Sequence, residues 1–259
     1  MTMEDARRVW NAALREPEAI ALFLDFDGTL VEIAETPEAA KSPPALPGLL
    51  ARLSRGLSGA LALVSGRPIA DLDRRLAPFR CAAAGVHGAE FRLDAGSAIA
   101  MRAAPLDARV RGDVAKLAGD DPRLLVEDKG GAIAVHYRLA EHLGPELERR
   151  LEDYIRASDG DLMVQPGRKV FEVLGGAVSK GDAVRRFMSQ PPFAGRRPLM
   201  IGDDRTDVSA FEVCAALGGA GLRVAGEFFA SDAADFASPA EVRQWLGAQA
   251  ELFFAPEIR

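Results

Sequence analysis

Residues 21–30 most constrain what this chain can fold into, because an apolar run there ends at two carboxylates. Ala21-Leu-Phe-Leu24 is long enough for a buried strand, and Asp25 and Asp27 follow it, one residue apart. Gly28 allows the chain to turn sharply just beyond the strand. Two carboxylates at a strand end repel each other unless a cation lies between them, and Mg²⁺ prefers such oxygen ligands. The stretch therefore predicts a magnesium site.

Three other interpretations of this stretch compete with the metal site. Asp-Gly between apolar runs is a strong hairpin signal, so residues 29–33 could form a returning strand. An EF-hand loop that begins at Asp25 is excluded, because its sixth position holds Leu30 in place of glycine and its twelfth holds Thr36. The third interpretation is that the two acids occur there by coincidence. The hairpin and the coincidence both stay open at this point, and the rest of the chain has to decide.

The composition is typical of a globular protein outside membranes. The chain has 259 residues, 48% of them apolar and 27% charged, which is enough for one large domain or two modest ones. No apolar run approaches the ~20 residues of a membrane span, and the N-terminus lacks the apolar stretch of a secretory signal. Cys81 and Cys214 have no metal-type spacing. We expect a cytoplasmic protein; the oligomeric state is not defined by the sequence, although a monomer is favoured.

The net charge of −6 argues against nucleic acid and against an anionic membrane as partners. It would also disfavour a phosphorylated small molecule as substrate, unless lysine or arginine side chains offset the negative field locally. A phosphate site in this chain must therefore contain cations.

The order of the predicted elements favours an α/β fold with a doubly wound parallel sheet. Strands and helices alternate along both ends of the chain. We predict helices over 3–15, 49–57, 68–75, 179–188, 211–217 and 238–252, and strands over 21–24, 60–64, 80–84, 198–201 and 221–224. In such sheets ligands bind beyond the carboxyl ends of the strands.

Residues 104–176 interrupt this alternation. Two hairpin-like pairs of strands, separated by a helix, indicate a small α+β unit inserted into the first domain. The expected elements are helices over 106–117 and 144–155 and strands over 123–129, 132–138, 162–165 and 169–174. We therefore predict a core formed by residues 1–103 and 177–259 and an inserted cap domain formed by residues 104–176.

Polar residues at four places are predicted to meet at one edge of the core sheet. They are Asp25 with Asp27, Ser65 with Arg67, Lys180 at a helix start, and Asp203 with Asp204 and Asp207. Mg²⁺ between Asp25 and Asp203 would neutralise an incoming phosphate. Asp25 could then attack phosphorus, and Asp27 could protonate the leaving oxygen and later deprotonate water. Ser65 and Lys180 would hold the phosphoryl oxygens, although a lone lysine is as often a surface residue.

The same motifs resemble those of the haloacid dehalogenase-like phosphatase superfamily. They are Asp-Phe-Asp-Gly-Thr at 25–29, Ser-Gly-Arg at 65–67, Lys180, and Gly-Asp-Asp at 202–204, and they occur in the superfamily's order over nearly the whole chain. The resemblance implies that Asp25, Asp203 and the backbone carbonyl of Asp27 hold Mg²⁺. It also implies that Thr29, Asp204 and Asp207 lie around these ligands.

Further stretches resemble the trehalose-6-phosphate phosphatase family, which carries a cap at the same place. They are residues 85–90, 126–129, 136–138, 167–173 and 202–207. The resemblance implies hydrolysis of trehalose 6-phosphate through an aspartyl-phosphate intermediate. Val208-Ser-Ala-Phe211 is less acidic than in many members, and Arg168 stands where lysine is common. Another sugar-phosphate phosphatase, a phosphohexomutase with a similar cap, and a catalytically silent regulatory domain are the alternatives.

The predicted cap strands carry polar side chains on one face. Alternation places Glu127 with Lys129, and His136 with Arg138, opposite apolar residues that would pack against helices. The polar face is either simply solvated or closes over the metal site and binds a sugar. His87 is included as a substrate contact by resemblance alone, because a lone histidine is usually structural. The expected substrate contacts are Arg67, His87, Glu127, Lys129, His136, Arg138, Lys169 and Glu172.

Overall fold

The computed structural model describes residues 19–34, 39–101, 106–119, 121–129, 131–158, 162–167, 169–176 and 178–253. The helix predicted over residues 3–15 lies outside these ranges. The strands are β1 (Ile20–Leu24), β2 (Leu61–Val64), β3 (Ala82–Gly85), β4 (Glu90–Arg92), β5 (Ala100–Met101), β6 (Leu125–Asp128), β7 (Ala132–His136), β8 (Leu162–Gly167), β9 (Val170–Gly175), β10 (Arg197–Gly202) and β11 (Ala220–Arg223). The α-helices are α1 (Leu46–Gly56), α2 (Ile69–Leu76), α3 (Ala108–Ala118), α4 (Gly144–Ala157), α5 (Lys180–Met188), α6 (Val208–Ala216) and α7 (Pro239–Leu252).

The larger sheet has seven strands in the order β11-β10-β1-β2-β3-β4-β5. The first five of these are parallel, so their carboxyl ends share one edge. The predicted doubly wound parallel sheet is therefore confirmed. The antiparallel pair β4 and β5, which extends the sheet beyond β3, was not predicted. Its strands have three and two residues, too few for a period to be visible in the sequence.

Strand β1 is buried on both faces of this sheet, which explains why its sequence is apolar throughout. Leu22 and Leu24 pack with the apolar residues of α1, α2 and α7. Phe23 faces the other way, among residues of α5 and α6, and its ring centroid lies 5.8 Å from that of Phe187. Helices therefore cover both faces of the sheet and leave the carboxyl edge of the strands open for a site.

The smaller sheet has the order β6-β7-β9-β8, and every neighbouring pair is antiparallel. Ile133 and Val135 of β7 pack on α3 and α4 together with Phe171 and Val173 of β9. The predicted apolar face is thus confirmed. Asp107 caps α3 by accepting a hydrogen bond from the backbone N–H of Arg109, so this helix begins two residues later than predicted.

The expected boundaries of the inserted domain, near residues 104 and 176, fall at or beside residues 102–105 and 177. These residues lie outside the described ranges, so the boundaries stay a prediction. Among the helices that the structure describes, none is long and apolar enough to span a lipid bilayer.

Candidate active site

The carboxyl ends of β1, β2 and β10 bring three predicted residues to one edge of the larger sheet. Asp25 follows β1, Ser65 follows β2 and Asp203 follows β10. All three side chains are buried. A buried carboxylate must have polar or charged partners, and those of Asp25 and Asp203 come from neighbouring loops and from α5.

The turn after β1 brings Asp203 close to the first acidic motif. Gly28 has a φ of 76°, and a Cβ atom at this position would overlap the carboxylate of Asp203. Thr29 Oγ1 donates a hydrogen bond of 3.2 Å to Oδ1 of Asp203. Residues 28–30 form a turn that is closed by one isolated bridge between Asp27 and Val31, and residues 29–33 contain no second strand. The hairpin interpretation is therefore wrong.

Lys180 is the first residue of α5, as predicted. Ser179 precedes it and caps the helix by accepting a hydrogen bond from the N–H of Asp182. The Lys180 ammonium group is buried, and its Nζ lies 2.9 Å from Asp25 Oδ1 and 2.7 Å from Asp207 Oδ1. A buried ammonium group with two carboxylate partners is not a surface lysine. Their charges outweigh the effect of burial and raise the pKa of Lys180.

Asp204 and Asp207 shape the loop that carries Asp203. Asp204 accepts a hydrogen bond from the N–H of Arg205, and Asp207 Oδ2 accepts one of 2.9 Å from the N–H of Asp204. The loop therefore closes into a short 3-10 helix, Arg205–Asp207, through reciprocal capping. Asp207 is occupied on one oxygen by this loop and on the other by Lys180.

The carboxylates at this edge fit a hard divalent cation. One oxygen each from Asp25, Asp203 and Asp207 lies within 4.8 Å of the others. Burial, followed by the neighbouring carboxylates, raises the pKa of Asp25 to about 7 despite the charge of Lys180, and it raises the pKa of Asp203 as well. Such mutual repulsion is relieved by a cation with oxygen ligands. Because both oxygens of Asp207 already accept hydrogen bonds, Asp25 and Asp203 are the better ligands.

A cavity of about 450 Å³ separates this edge from the polar face of the smaller sheet. Its lining includes six lysine and arginine side chains, so the local cations that a phosphate requires are present despite the net charge. They are Arg67, Arg74, Arg75, Lys129, Arg138 and Lys180. The other expected site residues in the lining are Asp25, Asp27, Ser65, His87, Glu127, His136, Glu172, Asp203 and Asp204.

Comparisons with known proteins identify the family. Residues 23–243 match the family model described as trehalose-phosphatase. A Sinorhizobium fredii protein named as a probable trehalose-phosphate phosphatase is 43% identical over 214 residues, which cover 82% of this chain and 80% of that protein. The chain belongs to the trehalose-phosphatase family. The family and the enzyme class predicted from the sequence are thereby confirmed.

Solved structures support the fold of this family member. The C-terminal domain of a trehalose-6-phosphate phosphatase from C. albicans aligns with a TM-score of 0.81 at 24% identity, covering 95% of this chain and 96% of that one. A haloacid dehalogenase-like hydrolase from Bacteroides thetaiotaomicron aligns with a TM-score of 0.62 at 16% identity, covering 89% and 98%. The expected haloacid dehalogenase-like fold is confirmed.

Several expected substrate contacts of this trehalose-phosphatase family member meet at the junction of the two sheets. Lys129 Nζ lies 2.6 Å from Glu172 Oε1 and donates to the carbonyl of Gly66 at 3.1 Å. His87 Nε2 lies 3.2 Å from Glu172 Oε2. Burial alone would raise the pKa of Glu172, but Lys129 and His87 outweigh it and hold that pKa well below its usual range. His87 adopts a φ of 54°, rare for a residue with a side chain, so the backbone is strained beside the cavity.

Two further cap residues lie on the cavity wall. His136 Nε2 is 2.9 Å from Glu127 Oε2, and this hydrogen bond lowers the pKa of Glu127 against the effect of burial. Arg138 donates to the backbone carbonyl of Ala34 in the core. Both pairs line the same cavity as Asp25.

Lys169 is outside the cavity lining. Its Nζ lies 2.8 Å from Glu227 and 3.0 Å from Glu141, so it links the smaller sheet to a loop beyond β11 of the core. Its role as a substrate contact stays a prediction.

Sequence reasoning missed the part of α2 that lines the cavity. Asp71, Arg74 and Arg75 all contribute to the wall, and Asp71 also pairs with Arg67. The signal was present, because Asp71 and Arg75 are four residues apart and share one face of α2, and Arg67 precedes Asp71 by the same spacing.

Proposed function

We propose that this protein is a Mg²⁺-dependent phosphatase that hydrolyses trehalose 6-phosphate to trehalose and phosphate, the last step of trehalose biosynthesis. The observation that carries the proposal is the position of Asp25: it is buried, contacts Lys180 and faces a cavity that the polar cap residues close from the other side. Family membership supports the phosphoryl substrate and the sugar.

Asp25 is the nucleophile in this proposal. One of its oxygens forms a bond to phosphorus while the bond from phosphorus to the sugar oxygen breaks, which leaves an aspartyl-phosphate. Lys180 and Ser65 neutralise and hold the phosphoryl oxygens during transfer. Lys180 is well suited to this role because Asp207 holds its ammonium group in place on the far side.

Asp25, Asp203 and the backbone carbonyl of Asp27 would hold Mg²⁺, with Thr29, Asp204 and Asp207 supporting them. The ion supplies positive charge that offsets the phosphate and the clustered carboxylates. The hydroxyl group of Thr29 supports the site by orienting Asp203. Asp207 supports it by accepting hydrogen bonds from Lys180 and from the backbone N–H of Asp204.

Asp27 acts as general acid and then as general base. Its side chain is 34% exposed and lines the cavity, unlike that of Asp25. The sugar oxygen takes the proton of Asp27 as it leaves, and Asp27 then takes a proton from the water that attacks the phosphoryl group. Phosphate departs, and Asp25 is regenerated.

The cap domain, residues 104–176, binds the sugar. Glu127, Lys129, His136, Arg138 and Glu172 form one wall of the cavity, which favours a sugar-binding face over a merely solvated one. Charged and polar side chains in a cavity suit a polyhydroxylated substrate, because each hydroxyl group can donate and accept a hydrogen bond. A small-molecule substrate and a cytoplasmic location accompany this proposal.

The test is phosphate release from a panel of sugar phosphates, with and without Mg²⁺. We expect trehalose 6-phosphate to be hydrolysed best and only with the metal. A preference for another sugar phosphate would reassign the substrate within the superfamily. Isomerisation of a sugar phosphate without free phosphate would indicate a mutase, and no turnover on any member of the panel would overturn the enzymatic proposal.

A further inference from the structure

Arg67 lies at the centre of a charged network beside Asp27. Its side chain is only 9% exposed. Nε lies 2.5 Å from Asp27 Oδ2 and Nη2 lies 2.7 Å from Asp27 Oδ1, so the guanidinium group binds both carboxylate oxygens. The third nitrogen, Nη1, lies 2.7 Å from Asp71 Oδ2.

The position of Arg67 is fixed from several directions. Its N–H donates to Ser65 Oγ at 3.2 Å, and its carbonyl accepts from the N–H of Val86 at 3.1 Å. Asp71 in turn accepts from Arg75 Nε at 2.8 Å. Since Asp71 sits on α2, the guanidinium group is held by a rigid element of the core.

Asp27, unlike Arg67, is not held in place by packing. It follows the buried strand β1, yet about a third of its side chain is exposed to the cavity, so packing alone does not hold its rotamer. A bidentate pair with a planar guanidinium group fixes both the position and the plane of a carboxyl group. Arg67 thus fixes the side-chain position of Asp27, as burial does for Asp25.

We propose that Arg67 is a positioning residue for proton transfer by Asp27, with Asp71 holding Arg67 in place. The inference rests on the proposed function and gives Arg67 a role other than the sugar contact expected from the sequence. In the step concerned, the bond from Asp25 to phosphorus forms and the bond from phosphorus to the sugar oxygen breaks. Asp27 enters the step as the carboxylic acid, with its proton on an oxygen lone pair that Arg67 does not occupy. The electron pair of the broken bond stays on the sugar oxygen, which takes that proton and leaves the Asp27 carboxylate paired with Arg67. Arg67 acts by keeping Asp27 within reach of that oxygen.

The decisive variant is Arg67→Lys, because it keeps the positive charge and loses the bidentate contact with Asp27. The substrates are aryl phosphates with increasingly basic leaving oxygens, from p-nitrophenyl to phenyl phosphate. The more basic the leaving oxygen, the more the rate of bond cleavage depends on its protonation. Single-turnover release of the phenol, with enzyme in excess, isolates this step from the later attack of water. We expect a loss of less than about 3-fold on p-nitrophenyl phosphate and of about 100-fold on phenyl phosphate, since general acids contribute on this scale.

A double-mutant cycle with Asp27→Asn tests whether Arg67 acts through Asp27. In the Asp27→Asn background, Arg67→Lys should remove less than about 3-fold of the remaining phenyl phosphate activity, because the partner it positions is gone. Equal losses along the aryl series, or a full additional loss in the Asp27→Asn background, would overturn the proposal and return Arg67 to a direct substrate contact.

Asp71→Asn is the second variant, and it carries the test if Arg67→Lys does not fold. It should give a smaller loss with the same dependence on the leaving group. Asp153→Asn, on the exposed face of α4, is the matched control and should change neither aryl phosphate activity.

The rise in melting temperature on adding Mg²⁺ should persist in all these variants, because none of them removes a proposed metal ligand. Since aryl phosphates serve as substrates, a failure of the trehalose 6-phosphate assignment would leave this test intact.

Discussion

Lys180 Nζ lies 2.9 Å from Oδ1 of Asp25, at the carboxyl end of the central strand β1. The contact places the one buried positive charge of α5 against the residue that we propose as nucleophile. It also shows how the sequence builds the site, because a helix start and a strand end converge there from positions 155 residues apart in the sequence (180 − 25).

Asp25→Asn is expected to abolish phosphate release, by a factor on the order of 10⁴ or more, because the amide does not attack phosphorus. Without Mg²⁺ its melting temperature should equal or exceed that of the wild type, since one of the repelling carboxylates is gone. Activity assays and thermal melting check the two parts. Turnover near the wild-type rate in a pure preparation would contradict the covalent mechanism.

Removal of Mg²⁺ with EDTA should abolish activity, and added Mg²⁺ should restore it. Ca²⁺ should restore it poorly, because its coordination sphere is larger and looser. Binding is measurable without turnover: Mg²⁺ at about 100 times its dissociation constant should stabilise the fold by about 2.7 kcal/mol. Asp203→Asn should remove most of this gain. Full activity in metal-free buffer is the outcome that rules out the metal site.

Glu127→Ala should impair hydrolysis of trehalose 6-phosphate about ten- to a hundredfold in kcat/KM, because a hydrogen bond to a charged group contributes about 1.5–3 kcal/mol. A small aryl phosphate does not reach Glu127 and should be hydrolysed nearly as well as before. The control is Glu152→Ala, on the exposed side of α4, which should affect neither substrate. Equal losses on both substrates would show that Glu127 supports the fold or the core site.

Glu172→Gln tests the ion pair with Lys129 through its pH dependence. The folded-state pKa of Glu172 lies below the ordinary 4.5, so its ionised form stabilises the protein above that pH and the contribution is lost as pH falls further. At about pH 7 we expect a cost of about 3 kcal/mol, because the buried ammonium group of Lys129 loses its carboxylate partner. Denaturant unfolding should show the difference shrinking below about pH 4.5. A difference that is constant over the acid range would contradict the assignment.

Asp73→Asn tests the ion pair between Arg92 and Asp73, which lies outside the cavity. Arg92 is buried, and it donates to Asp73 at 2.6 and 2.7 Å and to the carbonyl of Cys81. We expect destabilisation by about 2 kcal/mol, less than for a fully buried pair because Asp73 is partly exposed. Thermal melting should show a lower midpoint with catalysis unchanged. Asp153→Asn, which weakens two exposed pairs with Arg149 and Arg156, should stay within about 0.5 kcal/mol of the wild type.

Much of the core site was predictable because its residues follow apolar strands that sequence periodicity reveals. Asp25, Ser65 and Asp203 each end such a strand, and parallel strands must share an edge. Lys180 followed from the capping residue Ser179. The alternation along β7 likewise identified which face of the smaller sheet is apolar.

Contacts between distant side chains were not predictable. The pairing of Arg67 with Asp27, and the link from Lys169 to Glu227, depend on how loops and the two sheets lie against each other. No local pattern encodes that arrangement. Lys169 also has a φ of 55°, a conformation that favours glycine and that nothing in its neighbours along the chain indicates.

The absence of a side chain at Gly28 has a consequence for how proteins of this kind can change. Any other residue there would push against the carboxylate of Asp203. During natural divergence or laboratory evolution toward new substrates, substitutions are therefore not tolerated at this position. They are tolerated on the cavity wall around Glu127 and His136. Libraries that vary the wall while leaving Gly28 untouched should yield altered sugar preference with phosphoryl chemistry intact.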